Sequence, residues 1–109
     1  MERVQEADIE YRHGTSGPKY LFRGPHMEWG LIQLQPGDTM GQHGHHETDE
    51  FFYVMEGTPA IVVNGQRHPA RPGDAFYLTP REMHDIVNDG DSTVRIVFMK
   101  APYNPADKI

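Results

Sequence analysis

The 109-residue chain contains no cysteine. Disulfides and thiolate metal ligands are therefore excluded, and any metal must be held by imidazole, carboxylate or water. Positive charge is scarce as well: 10 Lys and Arg stand against 16 Asp and Glu, a formal net charge of -6. That balance argues against nucleic acid and anionic membrane surfaces as partners. No apolar run approaches the roughly 20 residues that a membrane-spanning helix needs. The first residues, MERVQEADIEYRHG, are charged and lack the apolar stretch of about 7 to 15 residues that marks a secretory signal. A cytoplasmic location is the expectation. Helical periodicity is missing too, since apolar residues nowhere recur at i, i+3, i+4 and i+7 over a helix-length window.

What the chain has instead is punctuation. Its 11 glycines and 9 prolines cut it into short β-branched or aromatic runs, each followed by a turn signal: WGLIQL then PGDT, EFFYVM then EGTP, AIVV then NG, AFYL then TPRE, VRIVFM then KAPYNP. This rhythm predicts an all-β, single-domain protein, a sandwich or barrel in which closure removes exposed sheet edges. Asn64-Gly65 between AIVV and QRH suits a two-residue type I′ hairpin, because both residue types tolerate positive φ. Two PGD triplets, at 36–38 and 72–74, each precede a histidine-bearing segment. HGTSGPK at 13–19 reads as a loop. The expected division is an amino-terminal arm over 1–20, a barrel over 21–100 and an irregular tail over 101–109.

Three of the 7 histidines fall within GQHGHHETDE, at His43, His45 and His46. On extended backbone His43 and His45 share a face, with α-carbons roughly 6.5 to 7 Å apart, so both rings reach a common ion. Glu50 lies an odd step beyond His45, and a turn or bulge within HETD must reset the alternation to bring it to the same face. His84 is a fourth candidate from a distant segment. Three imidazoles and a carboxylate suit a divalent first-row metal with coordination positions left open. Solvated loop histidines would produce the same local spacing.

The run GDTMGQHGHHETDEFFYVMEG resembles the first cupin motif, with Gly37, His43, His45, Glu50 and Gly57 in register. GDAFYLTPREMHDIVN resembles the second through Gly73, His84 and Asn88, although Thr79 stands at the motif's proline, followed by Pro80, and Arg81 at its glycine. The resemblance implies a small cupin jelly-roll β-barrel. It also implies one divalent metal per chain (Mn, Fe, Zn or Ni) held by His43, His45, Glu50 and His84. His46 should point off that face, Glu47 reads as a solvated turn acid, and Asp49 is a substitute candidate for the carboxylate ligand, although Glu50 alone has the motif's spacing to Gly57. His13, His26 and His68 match no motif position and are expected at the surface.

Cupins include dioxygenases, decarboxylases, sugar isomerases, lyases and non-catalytic ligand sensors, so resemblance alone selects no reaction. The expectation is a metal-dependent enzyme acting on a small oxygen-rich molecule, a sugar acid or keto acid. The alternative is a metal-dependent binding module without chemistry. Candidate catalytic groups beside Glu50 are His46, Tyr53, Tyr77 and Arg95, and Arg23, Trp29, Gln33 and Arg81 are further candidates for the barrel mouth. A homodimer is expected through apolar sheet surface in LIQL and VRIVFM.

Overall fold

The computed structural model describes residues 1–109. A single 3₁₀ turn, Glu6–Asp8, precedes eight strands: β1 Gly17–Arg23, β2 Glu28–Leu34, β3 Asp49–Glu56, β4 Ala60–Val63, β5 Gln66–Pro69, β6 Ala75–Leu78, β7 His84–Val87 and β8 Val94–Ala101. They form a five-stranded sheet in the order β1-β2-β8-β3-β6 and a three-stranded sheet in the order β5-β4-β7. Every pairing is antiparallel. This is the all-β architecture predicted by the strand rhythm, in the jelly-roll form that the family resemblance implies. No helix is long and apolar enough to cross a membrane.

Alternation along the strands builds the core. Ile32 and Leu34 of β2, Phe52 and Val54 of β3, and Val94, Ile96 and Phe98 of β8 meet Ile61 of β4 and Ile86 of β7 between the sheets. Each such side chain contributes about 1.5–3 kcal/mol through burial. LIQL and VRIVFM are therefore mostly interior, which corrects the expectation that they are short of cover. The exposed apolar residues of the large sheet are instead Phe51, Tyr53, Met55, Tyr77 and Met99, on its outer face.

Turn chemistry agrees with the sequence. Asn64 (φ 48°) and Gly65 (φ 82°) both take positive φ, as a type I′ hairpin requires. In both PGD triplets the proline and glycine occupy the centre of a turn, closed by Asp38 N–H to Gln35 O at 3.0 Å and Asp74 N–H to Arg71 O at 3.1 Å. Gly37 (φ 90°) and Gly73 (φ 95°) supply the positive φ that type II turns demand. Each aspartate then accepts from the backbone N–H three residues before it, at 2.8 and 3.0 Å.

One segment departs from expectation. HGTSGPK does not end as a loop, because Gly17, Pro18 and Lys19 already pair with β2. Pro18 is tolerated there since β1 is an edge strand. β1 consequently runs across residue 20, where the sequence reading ended the arm.

Candidate metal centre

Residues 37–43 run alongside β7 as an irregular extra strand. Met40 N–H donates to Ile86 O at 3.0 Å, His43 N–H to His84 O at 2.9 Å, and His84 N–H returns the bond to His43 O at 2.7 Å. This ladder places the two distant histidines opposite each other. Gly44 then allows the segment before His84 to pack closely: a Cβ there would lie 2.7 Å from Met83 Sδ and 3.2 Å from the Glu82 carbonyl.

The reset between His45 and Glu50 has a specific cause. Asp107, in the carboxy-terminal tail, accepts through its carboxylate from the N–H groups of His46, Glu47 and Thr48 at 2.6, 2.9 and 2.9 Å, and from Thr48 Oγ1 at 2.9 Å. These bonds fold the loop around one buried carboxylate, and β3 leaves it with Glu50 facing inward. Burial alone would push the Asp107 carboxyl up, but the converging donors outweigh it and hold it far below the usual aspartate range. The tail is thus part of the site. A lone aspartate six positions beyond a strand carries no sequence signal for such a role.

His43, His45, Glu50 and His84 converge, with one potential ligand atom from each lying within 4.8 Å of all the others. His45, Glu50 and His84 are 5%, 3% and 2% exposed, so the cluster lies in the barrel interior. Glu50 Oε1 lies 3.7, 3.0 and 2.9 Å from Nε2 of His43, His45 and His84. The three Nδ1 atoms contact backbone carbonyls, those of Gly41 at 3.0 Å, Asp107 at 2.6 Å and Glu82 at 3.0 Å. A carbonyl only accepts, so each Nδ1 carries a proton and the lone pair of each Nε2 aims at the centre.

Those lone pairs meet the Glu50 carboxylate and one another; His84 Nε2 is 3.1 Å from His43 Nε2. Acceptors so close require a cation among them, either a proton on a ring or a metal ion. The donor set therefore fits a divalent metal, and the carbonyl partners of Nδ1 provide the orientation that metal-binding imidazoles need. Without metal, burial pushes the Glu50 carboxyl up, but contacts with the three imidazoles prevail and hold it well below the usual range. The same contact with Glu50 raises His45 against the opposing effect of burial.

The other candidates lie elsewhere. Strand alternation that turns Glu50 inward turns Phe51 and Tyr53 outward, and Tyr53 is 48% exposed. Tyr77 faces outward too, donating to Asp49 Oδ1 at 2.6 Å and stacking on Phe51. Arg95 lies outside between the inward Val94 and Ile96, bound to Glu6 at 2.8 Å and Tyr11 Oη at 3.3 Å. His46 is exposed, and only its backbone N–H takes part in the loop. None of these four side chains reaches the cluster. Trp29 stacks on Phe22, and Gln33 donates to Thr15 O. Arg23 pairs with Glu28 beside a small adjoining cavity.

Arg81, at the position of the motif's glycine, keeps the turn by adopting φ 74° while its N–H donates to His45 O at 2.7 Å. A left-handed non-glycine residue costs roughly 1–2 kcal/mol, part of which glycine returns as chain entropy. Arg81→Gly is therefore expected to stabilise the protein by about 1 kcal/mol. A urea midpoint unchanged or lowered by this substitution would show that the side chain contributes more than the strain costs.

His43, His45 and Glu50 of the cluster line a cavity of about 200 Å³ whose wall also includes Tyr20, Ile32, Met40, Phe98 and Lys100. Lys100 sits opposite Glu50 in the β3–β8 register, and its Nζ is 3.2 Å from both Tyr20 Oη and Glu28 Oε1. Burial alone would push the ammonium down, but Tyr20, Glu50 and Glu28 outweigh it and keep Lys100 charged. Sequence reasoning missed Lys100, although alternation places it on the same face as Ile96 and Phe98.

Comparison with known proteins gives a family and a range of relatives. The family model described as "Cupin domain" matches residues 30–100. The tetracenomycin polyketide synthase protein TcmJ of Streptomyces glaucescens is 31% identical over 80 residues, covering 73% of this chain and 54% of that protein. The oxalate-binding protein of Thermotoga maritima is 29% identical over 95 residues, covering 87% and 77%. The chain spans about half the length of the three Streptomyces proteins it matches, TcmJ, CurC and SchB, at 54%, 49% and 55%. Among solved structures, an uncharacterized conserved protein with a double-stranded β-helix domain from Klebsiella pneumoniae superposes with a TM-score of 0.86. It covers 100% of this chain and 96% of its own at 18% identity, a likeness of fold.

Proposed function

The chain belongs to the cupin domain family, and from that premise we propose that it is a metal-dependent enzyme acting on a small oxygen-rich molecule, a sugar acid or keto acid. Isomerase, lyase or dioxygenase-type chemistry fits this reading. The observation that carries it is the convergence of His43, His45, Glu50 and His84, the first three of which line a cavity that also contains a hydroxyl and an ammonium group. A divalent metal there would supply Lewis acidity and activate bound water or substrate. The chain's own contribution is threefold. Glu50 brings the negative charge that offsets a cation. Ile32, Met40 and Phe98 keep one wall apolar. Tyr20, hydrogen-bonded to Lys100, offers a proton-bearing group within the cavity.

Turnover of sugar acids and keto acids by metal-loaded protein tests this reading, with Glu50→Gln as the control. Product from at least one substrate is expected, reduced about 100-fold or more in the variant. Tight metal-dependent binding without product across the panel would replace the enzyme with the binding-module reading.

A homodimer belongs to the same proposal. Phe22, Trp29, Met99, Phe51 and Tyr77 are successive cross-strand partners from edge to edge of the large sheet, and the row is flanked by Tyr53 and Met55. Two copies of such a face pair by a two-fold axis. Phe51→Glu should shift sedimentation from twice the 12.5 kDa chain mass to the monomer. A wild-type protein that sediments as a 12.5 kDa species at micromolar concentration would remove the dimer.

A further inference from the structure

The chain carries 16 acidic and 10 basic residues, yet its main cavity has the opposite bias. Arg12, Lys100 and Lys108 line it, and Glu50, already surrounded by three imidazoles, is the only carboxylate among its lining residues. The lysine and arginine ion pairs of the molecule engage Lys19, Arg23, Arg67, Arg95 and Lys100. Arg12 and Lys108 are left without one, and both are exposed at the cavity mouth. Lys100 is different: its side chain is 13% exposed and its Nζ shares Glu28 with Arg23. Lys100 thus has no carboxylate to itself: it shares Glu28 with Arg23, and Glu50, the other carboxylate facing it, is engaged by the histidine cluster.

A fixed positive charge in a low-dielectric wall, with two unpaired cations at the entrance, is an arrangement that attracts and orients an anion. Tyr20 Oη, 3.2 Å from Lys100 Nζ, adds a neutral donor on the same wall. The cavity of about 200 Å³ falls below the roughly 300–1,000 Å³ of clefts for drug-sized ligands, which favours a ligand of a few carbon atoms.

Resting on the reading of the cavity as the substrate site, we propose that its substrate is a small carboxylate. Its carboxylate group is held by Lys100 and Tyr20, with Arg12 and Lys108 drawing it through the mouth, while its other oxygen-bearing end faces the histidine cluster. Arg12, Lys108 and Lys100, rather than Arg23 and Arg81, are the cations that line this cavity.

The test is calorimetric binding to zinc-loaded protein of malonate, succinate and galacturonate, with uncharged malonamide and galactose as counterparts. At least one carboxylate should bind, and its uncharged counterpart should bind at least about tenfold more weakly. Short dicarboxylates and sugar acids are told apart by which arm responds. Lys100→Met should weaken the bound acid by about tenfold to a hundredfold with zinc content unchanged, and Lys100→Arg should restore part of the loss. The exposed pair Arg12→Gln/Lys108→Gln, which leaves the core intact, should lower affinity severalfold and flatten its salt dependence. Malonamide or galactose binding as tightly as the acids, or undiminished acid binding in both sets of variants, would overturn the proposal. Metal-dependent turnover of an uncharged substrate would refute the anion subsite and keep the enzyme. Acid binding that depends on Lys100 without turnover would keep the subsite and remove the enzyme.

Discussion

A His84→Ala variant is expected to emerge from dialysis with less than about a tenth of the metal that the wild-type chain retains. Removing groups that merely orient a ligand commonly costs about 10–100-fold in metal affinity, so losing a direct ligand should cost at least the upper end of that range. His84 is the sharpest position because its Nε2 is 2.9 Å from Glu50 Oε1 and 3.1 Å from His43 Nε2, at the crossing point of the cluster. Its backbone bonds to His43 involve main-chain atoms alone and survive truncation of the side chain. Elemental analysis and circular dichroism on the same sample separate metal loss from unfolding. Full occupancy in a folded variant would remove His84 from the ligand set. Acid should weaken the wild-type site for the same reason, since Nε2 of each ring must be free of its proton to bind metal. Glu50 raises His45, so the competition at that ring begins above the ordinary histidine value of about 6.5.

Asp107→Ala is expected to have the largest effect on stability. It removes a buried carboxylate that accepts four hydrogen bonds within a single loop. Some of the freed donors will find water, so the cost should be about 2–4 kcal/mol rather than a full penalty for each bond. In a domain of this size that lowers Tm by about 10 °C or more. Asp107→Asn, retaining one acceptor oxygen, should fall between. Metal affinity should drop as well, by about 10–100-fold, because the Asp107 carbonyl orients His45 through Nδ1 at 2.6 Å and stays in place only while the tail is docked. A thermal midpoint within about 2 °C of wild type would show that the tail is dispensable. The pH dependence has a definite sign. The folded-state carboxyl lies below its unfolded value of about 3.9, so its stabilisation is complete above that value and is lost as pH falls below it. Acid denaturation of wild type should therefore be steep below about pH 4 and shallower in Asp107→Ala.

The residues that sequence alone made legible are those whose placement follows from short-range rules. His43 and His45 share a face because two residues of extended chain separate them, and Asn64-Gly65 forms its turn because both positions adopt positive φ. The two PGD turns belong to the same class. Alternation also held information that went unused: once Glu50 points inward, Tyr53 must point outward, and Lys100 must share the interior with Phe98. Parity places Tyr53, Tyr77 and Arg95 away from the histidine cluster, and parity is a local property that required only one inward residue on each strand as an anchor. Other features came from closure of the chain. Asp107 reaches the loop at 46–48 across about 60 residues, and Arg12 and Lys108 meet at one cavity mouth from opposite ends of the sequence. No periodicity encodes such meetings, because they depend on how two sheets pack and where the segments beyond them come to rest. The family pattern and the spacing of the candidate ligands were thus set by the sequence as written, whereas the support behind His45 and the gathering of Arg12, Lys100 and Lys108 at one cavity were decided only when tertiary packing brought distant segments together.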